Sequence, residues 1–207
     1  MFAVVESGKI TSMPRGNKGI KIGDNQYPAS IFTLWSESER NAIGVYTIEI
    51  DDTNKKNDQW YTNTNQTIAY DSSANKVKAT YGTATAKLHA DTLYTSDDKA
   101  ANNIPTGKDV GDVRLKGLKT ILIEQVKEQA QGILSETDWY VTRKSEKSTA
   151  IPSAITTHRD AVRTKQASME TAITNASDTP ALETLYTYTR QEDGSTTRPL
   201  GEIPELN

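Results

Sequence analysis

The chain has 207 residues, a formal net charge of −3 from 27 acidic and 24 basic residues, and an apolar fraction of 35%. That fraction lies below the roughly 45–50% of a typical globular chain and predicts a thin core. The charges are mixed without a basic block, which argues against nucleic acid as a partner, and the lack of cysteine removes disulfides, thiol nucleophiles and Cys-type zinc sites.

The opening MFAVVESGKITSM has neither a basic n-region nor a long apolar stretch, so no signal peptide is expected. Phe2–Val5 and Lys9–Met13 read as strands flanking a Ser7-Gly8 turn, and Lys18–Ile22 as a third strand closed by Gly23-Asp24-Asn25. Pro28 suits the first turn of a short helix over Ala29–Trp35. Ser36 and Glu39 have capping-box spacing for a second helix ending at Gly44. Val45–Ile50 alternates as a strand, with Tyr46, Ile48 and Ile50 on one face. Two Thr- and Tyr-rich strands, Gln59–Asp71 and Lys76–Leu88, follow around an Asp71–Asn75 loop.

The polar span 91–111 reads as a linker or an ordered excursion. From Val113 to Leu134 apolar residues fall at helical spacing, with Asp112 as N-cap. A second helix is predicted over Asp138–Glu146. A third runs from Ile151-Pro152 to Ala176, where Ile155, Val162, Met169 and Ala176 recur every seven residues beside a seam of Ala154, Ala161 and Ser168. That helix either packs against its predecessor in a hairpin or joins a multichain bundle, so a homo-oligomer through it stays open. Thr179-Pro180 starts a last short helix. The longest apolar run, Ile121–Ile123, is far too short to span a bilayer, and no membrane association is expected. The expected class is α+β: a β-rich module with a short helical insert over 1–90, the span 91–111, a helical module over 112–190 and an extended tail over 191–207.

Chemistry is sparse. His89 beside Asp91 reads as a solvated imidazole, and His158 as a packed or interface histidine. The pairs Asp51-Asp52 and Asp97-Asp98 lack the alternating ligands and turn glycine that calcium requires. No nucleophile elbow or phosphate loop is present. No enzymatic activity, metal or cofactor is therefore expected. Trp139 is expected to pack inward, with Thr137 capping the helix and Asp138 complementing its positive end. The competing reading joins Trp139, Arg143, His158, Arg159 and Arg163 into a protein-docking surface, because Trp and Arg dominate interface hot spots.

Leu134-x-x-Thr137-Asp138-Trp139, followed by Arg143, Pro152 and Arg159-x-x-Val162-Arg163, resembles the C-terminal region of bacteriophage tail assembly proteins. In that group a Tyr-Arg-x-x-Leu-Arg helix follows the proline; here His158 and Val162 stand at the Tyr and Leu positions. Tyr27-Pro28-x-x-Ile31 and Glu39-Arg40-x-Ala42-Ile43-Gly44-Val45 are similar to the opening of such proteins. The resemblance covers about a third of the chain. It implies association with the phage tail and no chemistry, with tail, baseplate or tail fibre proteins as partners; the expected location is the virion tail after synthesis in the host cytoplasm. A resident subunit and a transient fibre-assembly chaperone are both compatible with it. A cell-wall-degrading enzyme is the remote alternative, which would need a carboxylate pair or a His-centred site.

Overall fold

The computed structural model describes residues 1–206, and they fold as two units that meet between Thr85 and Ala86. Strands and helices are mixed, 13 and 7 among the described residues, so the chain is α+β.

In the first unit, strands β1 (Phe2–Glu6) and β2 (Lys9–Ser12) form the expected hairpin. Ser7 and Gly8 both take positive φ, at 50° and 75°, which is the turn geometry that matches strand twist. A second hairpin, β3 (Ile20–Ile22) and β4 (Asn25–Tyr27), turns at Gly23-Asp24. Helix α1 (Ile31–Leu34) starts after Pro28, with Ser30 as N-cap. Helix α2 (Glu37–Ala42) carries both arms of the Ser36–Glu39 capping box. Gly44 then turns the chain into β5 (Val45–Asp51) at φ +80°, where a Cβ would lie 2.6 Å from the Val5 carbonyl oxygen.

After the short β6 (Tyr61–Thr62), β7 (Thr67–Asp71) and β8 (Lys76–Thr80) form a hairpin. The Asp71 carboxylate shapes its loop by accepting from Ser73 and Ala74. The five-stranded sheet has the order β2-β1-β5-β8-β7, with β5 and β8 parallel. Its edge strands β2 and β7 approach each other, so the sheet curls. Ala3, Tyr46 and Val77 are buried on one face, and Val4, Val45, Ile31 and Phe32 on the other. This corrects the one-faced reading of β5. Tyr46 and Ile48 share a packed face, but Ile50 is 70% exposed, and α1 with the β3–β4 hairpin covers the second face at Val45.

In the second unit the span 91–111 is an ordered excursion. Strand β9 (Thr85–Ala86) falls at the junction; β10 (Thr92–Leu93) pairs with β11 (Val113–Leu115), and α3 (Ser96–Ala100) sits between them behind a Thr95–Asp98 capping box. Helix α4 is therefore shorter than predicted, Leu118–Ser135, because pairing with β10 draws Val113–Leu115 into a strand. Asp112 is not its N-cap. Gly117 is, and the missing side-chain cap comes from Asp91, whose carboxylate accepts from Gly117 N at 2.7 Å and Thr120 Oγ1 at 2.9 Å. The Leu88 and His89 carbonyls take the next two amides of the helix, from Leu118 and Lys119.

Helix α5 covers Asp138–Lys147, α6 covers Ser153–Asn175 and α7 covers Thr179–Tyr186. Helices α4 and α6 pack along each other. Leu122, Val126 and Ala130 are buried on α4, and Ile155, Val162, Met169 and Ile173 on α6. Asp178 caps α7 through the Ala181 amide. The tail, expected as a polar extension, is ordered by its own chain. It forms the hairpin β12 (Thr189–Arg190) and β13 (Thr196–Thr197), buries Leu200 and Ile203, and is tied down by Lys165 Nζ donating to the Leu200 carbonyl at 2.7 Å.

Candidate functional site

The α4–α5 junction is built around Arg159, which α6 holds with only 8% of its surface exposed. Its guanidinium donates to the Leu134 carbonyl at 2.7 Å, to Thr137 Oγ1 at 2.6 Å and to Asp138 Oδ1 at 2.8 Å. The guanidinium reinforces the Leu134 carbonyl, which also accepts from the Thr137 amide at 3.1 Å, and gives the buried Thr137 hydroxyl oxygen a donor. The Thr137 hydroxyl itself donates back to Leu134 O at 3.0 Å and makes no cap bond to α5, which corrects its predicted capping role. Asp138 does lie in the first turn of α5, where its charge also suits the positive helix end.

With its start fixed in this way, α5 has no fully buried side chain, and only Tyr140 and Arg143 are partly buried. Trp139 is 52% exposed, so the expectation that it packs inward is wrong. Its ring lies on Tyr140, with centroids 3.7 Å apart at 31°. Arg143, one turn on, places its guanidinium carbon 4.8 Å from the Trp139 ring centroid and 5.2 Å from that of Tyr140. The three side chains make a cation–π stack whose most exposed member is Trp139. The physical reason is the junction: Asp138 is pinned to Arg159, which rotates the following residue away from the α4–α6 core.

Trp139 and Arg143 are thus brought together on one surface. Arg159 lies beneath and positions the start of α5. Arg163 is exposed, pairs with Asp160 at 3.4 Å, and lines a shallow groove on α6 with Leu134, Gln166 and Glu170. His158 is partly buried, and its Nε2, like Arg143 Nε, is buried without a hydrogen-bond partner among the described residues. Sequence reasoning left Tyr140 out of the candidate set, although Tyr140, Arg143, Lys144 and Lys147 follow the i, i+3, i+4, i+7 spacing of one helical face.

The carboxylates considered for chemistry have local roles. Asp51 accepts from the amide and hydroxyl of Thr53, which holds its carboxyl below the usual range. Asp98 is likewise lowered by the backbone and side chain of Thr95, and its other oxygen pairs with Arg114 at 3.1 Å. No group of three or more His, Cys, Asp or Glu that could hold a metal occurs among the described residues. No described helix is long and apolar enough to cross a membrane. Comparison with family models, with curated proteins and with solved structures finds no match to this chain.

Proposed function

We propose that the protein is a non-enzymatic bacteriophage tail component, fibre- or baseplate-associated, that docks on neighbouring proteins through the Trp139–Tyr140–Arg143 surface of α5. The tail assignment rests on the resemblance of the Leu134–Arg163 segment to tail assembly proteins. The docking assignment rests on one observation: a helix that presents a half-exposed Trp139 beside the partly buried Tyr140 and Arg143 has no fully buried side chain, yet its start is fixed by a buried arginine. A preorganised aromatic–Arg surface loses little freedom on binding, which is what hot-spot residues require. The Arg159 bonds supply that preorganisation.

The self-contained tail favours a second reading. Leu200 and Ile203 are buried against the chain's own residues, so no neighbour is needed to order it, as suits a chaperone that assists fibre attachment and then leaves. Mass spectrometry of purified virions separates the two. A resident subunit is present in stoichiometric amount. A chaperone is missing from virions but co-purifies with a fibre protein, and absence from both sinks the tail assignment.

A further inference from the structure

The docking face of α5 carries charge as well as aromatic surface. Arg143, Lys144 and Lys147 lie on the same side of the helix as Tyr140, and among the described residues none of the three makes an ion pair. The one carboxylate in the first turn, Asp138, is engaged by Arg159. Lys144 and Lys147 stand in the last turn, where the helix dipole favours cations but does not neutralise them. Arg143 is held differently. Two rings support its guanidinium, its Nε is covered without a hydrogen-bond partner, and its terminal N–H groups make no hydrogen bond among the described residues. A guanidinium in that state fits a carboxylate, which it grips with paired, charge-assisted hydrogen bonds.

We propose that the segment docking on α5 is an acidic stretch of a partner protein, whose carboxylates meet Arg143, Lys144 and Lys147 while an apolar side chain covers Trp139. This rests on the docking reading above and adds the partner's chemistry. An extended polyanion such as nucleic acid or an anionic lipid surface fits less well, because the whole chain carries −3 and repels it at long range. A short acidic segment sees mainly the local cations, since screening confines the field to about 10 Å at 0.1 M salt.

The test measures binding of the fluorescein-labelled short peptide Glu-Glu-Leu-Glu-Glu to the full-length protein by anisotropy at about 0.1 M salt, with the matching lysine peptide Lys-Lys-Leu-Lys-Lys, single-stranded DNA and phosphatidylserine vesicles alongside. The acidic peptide is expected to bind in preference to the other three. Its affinity is expected to fall about tenfold or more in R143Q/K144Q/K147Q, the loss set by charge-assisted bonds. It should be unchanged in K9Q/K18Q/K21Q, which removes the same charge from exposed sites of the first unit. Equal loss in both variants, no binding, or a preference for DNA or vesicles overturns the proposal. A protein that loses attachment to phage particles on Trp139→Ala but not in R143Q/K144Q/K147Q keeps its docking face and refutes the acidic partner alone.

Discussion

Arg159 of α6 and Asp138 of α5 are joined at 2.8 Å, and that bond ties the first turn of α5 to the body of α6. Asp138 is 60% exposed, so the ion pair alone contributes little. The larger contribution comes from the two other bonds, to Leu134 O and Thr137 Oγ1, which satisfy buried acceptors.

Arg159→Ala is therefore expected to destabilise the fold by about 2–3 kcal/mol in chemical denaturation, because it removes three charge-assisted hydrogen bonds and opens a void beneath the junction. Arg159→Lys should recover only part of this, since an ammonium cannot reproduce the fork geometry. A loss below about 0.5 kcal/mol, the ordinary range for a surface substitution, would show that Arg159 does not fix the junction.

Asp91 and Gly117 make a second paired device at the start of α4. Asp91→Ala should cost about 1–2 kcal/mol, the range for losing a helix N-cap, although it lies far from the helix in sequence. Gly117→Ala should cost as much or more, about 2–3 kcal/mol, because the new Cβ would meet the Ala90 carbonyl carbon at 2.3 Å. Thermal melts of both variants check this, and unchanged midpoints would refute the capping assignment.

Stability should respond to pH at both ends. Asp51, Asp71, Asp98 and Asp193 all have carboxyl groups held below the usual range, chiefly by hydrogen bonds from Thr53, Ser73, Thr95 and Ser195. A lowered folded-state value means that the stabilisation is present above the unfolded carboxylate value near 4 and is lost as pH falls through the folded value. At the alkaline end the Tyr46 phenol is pushed up to about 12 by its hydrogen bond with Tyr70 and by burial. Its neutral form is the one the fold favours, so that stabilisation is complete below pH ~10 and is lost as pH rises through the folded value. Tyr46→Phe should remove the highest step of the tyrosinate absorbance titration; a wild-type profile in the variant would contradict the assignment.

The capping box at Ser36–Glu39, the Ser7-Gly8 hairpin and the seven-residue recurrence on α6 were legible because each is a local signal written within one element. Three features were not. The start of α4 depends on Asp91, 26 residues before the amide it caps, and on Ala90 packing against a side-chain-free Gly117. The burial of Leu200 and Ile203 depends on tertiary contacts that polar neighbours in sequence conceal. Trp139 was misplaced because residue type favours burial for an indole, whereas the Arg159–Asp138 bond turns it outward. In each case a long-range contact overrode a sound local preference.

The docking role of α5 is tested most directly by counting copies of the protein on purified phage particles, with wild-type and Trp139→Ala chains compared. Trp139 is half-exposed and stacks only on Tyr140 and Arg143 of its own helix, so its loss should lower stability by no more than about 1 kcal/mol and leave the circular dichroism spectrum unchanged. The account predicts that the Trp139→Ala chain folds normally and is lost from particles. Retention at the wild-type copy number would contradict it.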